Sequence, residues 1–163
     1  SAAALKMILI THADSDHYGA ARALQRASGA KLYASTLEAE AMRRGVSSRA
    51  LQPVGWERVF FGVVSPLFRV GSTPVEDYLQ AGATVGGLQV LASPGHTPGH
   101  ISLFLPEQRV LFAGDSIQIA GGQPRPSSGG NTWDLALAQR SFASQMQLQP
   151  AYLCCGHGYL YLS

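Results

Sequence analysis

The chain opens on a nearly continuous apolar run, Leu5 to Ile10 (LKMILI), the pattern of a short strand covered on both faces. It breaks off at Thr11-His12. From His17 onward Ala20, Ala21, Leu24 and Ala27 recur at helical spacing as far as Gly29, which supplies a left-handed cap, so a helix follows the strand directly. Lys31 to Ala34 reads as a second short strand. Ser35 and Glu38 then form a capping-box signature ahead of LEAEAMRR, and Gly45 stops that second helix. Strand, helix, strand and helix on short connections predict a layered α/β core.

Residues 46 to 86 carry scattered aromatics (Trp56, Phe60, Phe61, Phe68, Tyr78) without a strong strand pattern and read as an insertion or lid over a site. Phe60, Phe61, Leu67 and Phe68 suit a substrate pocket and ordinary core packing equally. Leu88 to Ala92, His100 to Leu105 and Arg109 to Ala113 predict three strands separated by Gly/Pro-rich or polar turns. Gly121 to Thr132 reads as a loop by composition, Thr132 as the cap of a helix from Trp133 to about Met146, and Ala151 to Cys155 as a last strand. A length of 163 residues predicts one domain, 1–163, able to bury roughly 70% of the surface its unfolded chain exposes.

Composition narrows the class. Charged residues make up 13% of the chain, against about 25% in an average protein, and hydrophobic ones 46%, which excludes a disordered or solvated coiled-coil chain. A net charge of +2 with no basic run longer than Arg43-Arg44 predicts no nucleic-acid partner. No stretch approaches the roughly 18 apolar residues of a membrane span, so no membrane partner is expected. Cys154 and Cys155 are adjacent and poorly placed to bridge each other; in a core strand they act as small hydrophobes. Without a disulfide framework, a reducing, cytoplasmic location is expected.

The candidate chemistry lies at strand ends. His12-x-Asp14-x-Asp16-His17 follows the first strand, and a cluster of that kind holds mutual repulsion that a cation relieves. His96 follows the strand 88 to 92, Asp115 the strand 109 to 113, and His157 the strand 151 to 155. Four strand ends thus each deliver imidazole or carboxylate, donors that suit zinc, iron or manganese. The 121 to 132 loop lacks the Gly-Lys-Ser/Thr ending of a phosphate-binding loop, and no Gly-x-Ser-x-Gly elbow is present.

The segments Thr11-His12-Ala13-Asp14-Ser15-Asp16-His17-Tyr18-Gly19, Ser93-Pro94-Gly95-His96-Thr97-Pro98-Gly99-His100, Phe112-Ala113-Gly114-Asp115 and Gly156-His157-Gly158 resemble, in order, the motifs of the metallo-β-lactamase-fold hydrolases. The resemblance runs from Leu5 to Gly158. It implies an αββα sandwich with two divalent metal ions on its edge: His12, Asp14 and His96 holding the first, Asp16, His17 and His157 the second, and Asp115 bridging. It also implies that His100 packs and hydrogen-bonds rather than ligates.

Two departures from the family pattern bear on chemistry and assembly. Asp14 stands where the family's first motif has its second histidine, which makes the first site harder and more anionic; zinc is the first expectation, with iron or manganese as alternatives. The strands that precede the Thr-His motif in the family, ending in an Asp-x-Gly turn, have no counterpart here. The expectation is therefore an N-terminally truncated domain that pairs with a second copy or with a segment carrying those strands. The activity implied is hydrolysis of an ester, thioester, lactone or related acyl bond of a small-molecule substrate by a metal-activated hydroxide, with Asp16 as the catalytic proton acceptor. A phosphodiesterase or nuclease on the same centre, and a non-catalytic metal-binding remnant, are the alternatives.

Overall fold

The computed structural model describes residues 4–49 and 70–162. In chain order the elements are β1 (Met7–Leu9), α1 (Ser15–Tyr18), α2 (Ala21–Ser28), β2 (Lys31–Ala34), α3 (Thr36–Arg44), β3 (Asp77–Tyr78), β4 (Thr84–Val85), β5 (Leu88–Ala92), β6 (Ile101–Leu105), β7 (Val110–Gly114), β8 (Ile117–Ala120), β9 (Gln123–Pro126), α4 (Leu135–Met146), β10 (Tyr152–Cys155) and β11 (Tyr161–Leu162).

Period-two alternation along the strands sorts their side chains between layers. In β1 and β2, Ile8, Leu32 and Ala34 pack with Tyr18, Ala21, Ala39 and Met42 of the helices, whereas Leu9 and Tyr33 join Val90, Ile101 and Leu103 of the second sheet. β1, β2 and β3 form a parallel sheet with Ile8 opposite Leu32 and Tyr33 opposite Asp77. The second sheet runs β11-β10-β7-β6-β5-β4; β7 and β10 are parallel and the other pairs antiparallel. Its far face, with Leu91, Phe104, Leu111 and Leu153, packs against Phe142 and Met146 of α4. The layers are helices, sheet, sheet and helix, the αββα sandwich that the motifs imply. Leu32, Leu111 and Leu153 are buried in it, each contributing roughly 1.5–3 kcal/mol relative to exposure.

Several elements differ from the sequence expectation. The helix expected from His17 to Gly29 is two: Gly19 and Ala20 separate α1 from α2, and Gly29 at φ +71° caps only the second. Gln123–Pro126, expected as loop, pairs antiparallel with β8. Pro124 and Pro126 suggest a break, yet each strand of this two-stranded hairpin has an open edge, where proline's missing N–H is tolerated. The cap of α4 is Asp134, which accepts from the Leu137 N–H at 2.9 Å; Thr132, the expected cap, bonds Ser127 instead. Phe60, Phe61, Leu67 and Phe68 lie outside the described residues, as do residues 50–69 of the 46 to 86 insertion; its described part holds β3 and β4.

Candidate metal centre

The four motifs leave β1, β5, β7 and β10 on one edge of the sandwich, so both sheets supply them. Backbone bonds tie the segments together: Ile101 N–H donates to Thr11 O (3.0 Å) and Gly156 N–H to Gly114 O (2.8 Å). Glycine is required at the second junction, because a Cβ on Gly156 would lie 2.0 Å from Asp115 Oδ1 and 2.5 Å from His17 Cε1.

The seven residues named from the motifs come together. His12, Asp14 and His96 place donor atoms within 4.8 Å of one another, and so do Asp16, His17 and His157. In the first group Asp14 Oδ2 lies 3.2 Å from His96 Nε2 and 3.6 Å from His12 Nε2. In the second, His157 Nε2 lies 3.2 Å from Asp16 Oδ2 and 3.2 Å from His17 Nε2. Asp115 stands between them, with Oδ1 3.3 Å from His17 Nε2 and Oδ2 3.4 Å from His157 and 3.6 Å from His96.

Asp14 occupies the N-cap position of α1, where an aspartate ordinarily caps, but its side chain makes no cap bond and turns into the site. His12 Nε2 is buried with no hydrogen-bond partner among the described residues. Such an orphan is expensive unless something takes its lone pair, and a nitrogen and oxygen donor set at this spacing fits a divalent cation.

The titrations follow from this crowding. Burial pushes His12 down, and His17 and His96 add to it against the pull of Asp14. Burial also opposes charge on His17, but its bond to Asp115 and the charges of Asp115, Asp16 and Asp14 raise it. Burial alone would raise Asp14; the nearby His12 and His96 imidazoles, the Ser47 hydroxyl that donates to its Oδ1 and the Arg49 charge hold it far below the usual carboxylate range. Asp115, buried likewise, is held at about 2 by His17, His12 and His96.

Two buried groups fix the loops from behind. Glu38 accepts from Ala13 N–H (2.7 Å), Ser48 Oγ (2.7 Å), Thr97 Oγ1 (2.8 Å) and Gly99 N–H (2.9 Å), so one carboxylate spans the 12–17, 47–49 and 96–100 segments. The capping box is thus half formed: Ser35 Oγ accepts from Glu38 N–H, but the Glu38 side chain serves the site. His100, the fifth histidine, stacks on His12 with centroids 4.9 Å apart. Its Nε2 accepts from Asp115 N–H (3.2 Å), which assigns the proton to Nδ1, donating to Ser93 Oγ (2.8 Å). Burial keeps it neutral, in the packing and hydrogen-bonding role expected of it.

Above the donors lies a cleft of about 320 Å³, bordered by Gln118, Ser128, Asn131 and Arg49. The motifs gave no sign of Arg49 or of the role of Glu38. Arg49 sits in an irregular stretch, and Glu38 reads as a helix cap.

The superfamily described as metallo-beta-lactamase matches residues 2–157. The probable metallo-hydrolase YflN of Bacillus subtilis is 30% identical, the match covering 94% of this chain and 64% of that protein. A hydroxyacylglutathione hydrolase of Cereibacter sphaeroides is 27% identical over 95% of this chain and 49% of its own length. This chain therefore spans about half to two thirds of these relatives. The crystal structure of TTHA1623 in a di-iron-bound form superposes with a TM-score of 0.70 at 26% identity, over 96% of this chain and 71% of that one. Among the described residues no helix is long and apolar enough to cross a membrane. With the order of the motifs, the αββα layers and the match over nearly its whole length in agreement, the chain belongs to the metallo-β-lactamase superfamily of metal-dependent hydrolases.

Proposed function

We propose that this chain hydrolyses an acyl bond, a thioester foremost and an ester or lactone by the same chemistry, using two divalent cations. His12, Asp14 and His96 would hold one, Asp16, His17 and His157 the other, with Asp115 between them. The observation that carries the reading is the convergence of two imidazole and carboxylate groups on one shared aspartate. The thioester preference draws its support from the hydroxyacylglutathione hydrolase relatives. Bound there, the cations supply Lewis acidity toward the carbonyl and lower the pKa of a water toward neutrality. Zinc is the first candidate, and the Asp14 carboxylate leaves iron or manganese as alternatives.

The chain's own groups do the rest. Asp16, more than half exposed at the cleft mouth, takes a proton from the attacking water and returns it to the leaving group. His100 holds the backbone of Asp115, and Glu38 holds that of Ala13 and Gly99, so the donors are set before substrate arrives. Ser128 and Asn131 border the path of a polar leaving group.

Metal analysis and a substrate panel on the zinc-loaded full chain test this. A hydroxyacyl-glutathione thioester and p-nitrophenyl acetate should be cleaved, with activity lost on chelation and regained with metal. Preferential cleavage of bis-p-nitrophenyl phosphate, or acyl hydrolysis indifferent to chelation, would overturn it.

A further inference from the structure

Arg49 has no part in that chemistry, yet it is aimed at the donors. Its side chain is only 12% exposed. Nη2 donates to Asp14 Oδ2 at 2.5 Å, Nη1 approaches His96 Nε2 at 3.1 Å, and Nη1 also donates to Asn131 O. The two acceptors lie 3.2 Å apart, a separation that the guanidinium fork spans. A guanidinium has no lone pair, so both atoms turn lone pairs toward it; the His96 proton then sits on Nδ1, facing Ser127 Oγ at 3.1 Å. These are the lone pairs that the first donor group would offer a metal. One positive charge is already seated there.

The second group is different. Among the described residues no lysine or arginine pairs with Asp16, His17, Asp115 or His157, whose carboxylates meet only imidazoles. It is also the more open group: the Asp16 and His157 side chains are 57% and 65% exposed, those of Asp14 and His96 11% and 7%.

We propose that Arg49 is a competing occupant of the first cation position, so that the two positions fill unequally. The inference rests on the two-cation reading above. The position at Asp16, His17, His157 and Asp115 fills first and tightly; the one at His12, Asp14 and His96 fills second, as Arg49 is displaced from Asp14 and His96. Because a guanidinium does not deprotonate in a protein, only a competing cation can release it. The exchange involves no covalent or redox step.

Zinc titrations of the full chain, by calorimetry with a competing chelator and by native mass spectrometry, read the stoichiometry and both affinities. The wild type should bind one ion tightly and a second at least about tenfold more weakly, the scale of a lost charge-assisted bond. Arg49→Ala should tighten the weak step by about tenfold or more and leave the tight step unchanged. Arg49→Lys, which cannot form the fork, should fall between them and carries the comparison if the alanine variant does not fold. His157→Ala should abolish the tight ion. Two ions of equal affinity in the wild type, unchanged by either Arg49 variant, would overturn this inference and leave the two-cation reading standing. Weakening of the second step by Arg49→Ala would also overturn it, since Arg49 would then support the site. No zinc binding by any of these proteins would remove both readings.

Discussion

Glu38 shows how much one residue can govern a site it does not enter. All four of its partners donate, and two of them, Ala13 N–H and Gly99 N–H, are backbone groups with no other role to play. A carboxylate can satisfy them because both of its oxygens accept; an amide of the same shape cannot, because its NH2 would face a donor. Glu38→Gln is therefore expected to lower stability by about 2–4 kcal/mol, the range for an unmet buried donor plus a lost charge-assisted bond, measured by urea unfolding. Zinc affinity should fall with it, since Ala13 lies between two of the proposed ligands. Stability within about 0.5 kcal/mol of wild type would show that the loops do not depend on this carboxylate. The sequence pattern put Glu38 in a capping box, and locally that is right, as the Ser35 bond shows. Its second role depends on Thr97 and Gly99, some sixty positions away, which no window along the chain brings together.

At the scale of elements, the pattern was most readable where burial is two-sided and propensity agrees with it: Lys31–Ala34 and Leu88–Ala92 are strands within the expected bounds. It failed where local chemistry and tertiary setting diverge. Gly121 and Gly122, at φ +60° and +72°, form the tight turn between β8 and β9, but Gln123–Pro126 after them, read as loop, is a strand. The loop between β5 and β6, at Gly95, carries the sharper consequence. This glycine has φ +142°, and a Cβ there would stand 2.4 Å from the backbone N and Cα of Ala138 in α4. Trp133 N–H and Asp134 N–H donate to the carbonyls of His96 and Gly95, so α4 starts against the same loop. Gly95→Ala must push the helix off this loop and is expected to cost about 2–4 kcal/mol in thermal or urea unfolding. Gly130→Ala, where nothing lies within 4 Å, should stay within about 0.5 kcal/mol. Equal effects of the two substitutions would mean that the close approach of loop and helix carries no energy.

Over the whole molecule, the donors bridge the two sheets, which also meet through apolar packing and through the Ile101 N–H to Thr11 O bond. His12, Asp14, Asp16 and His17 follow β1 of the three-stranded sheet, whereas His96, Asp115 and His157 follow strands of the six-stranded one. These seven positions were legible in the sequence because each belongs to a short motif that follows a strand. Arg49 was not, since its meaning depends on Asp14 and His96 arriving from different sheets. A cation held by both sheets would bind the folded chain and not the unfolded one, and would stabilise it by RT ln(1 + [L]/Kd), about 2.7 kcal/mol at a hundredfold excess over Kd. For a chain of this size 1 kcal/mol moves Tm by about 2–4 °C, so stripping zinc from the loaded protein should lower Tm by roughly 5–10 °C, and readdition should restore it. His96→Ala and His157→Ala each remove a donor on the six-stranded side and should shrink that shift, while their Tm values without metal remain near that of the metal-free wild type. The shift belongs to the centre only if it shrinks in this way: a chelator effect of equal size in both variants would place the stabilising cation elsewhere on the chain.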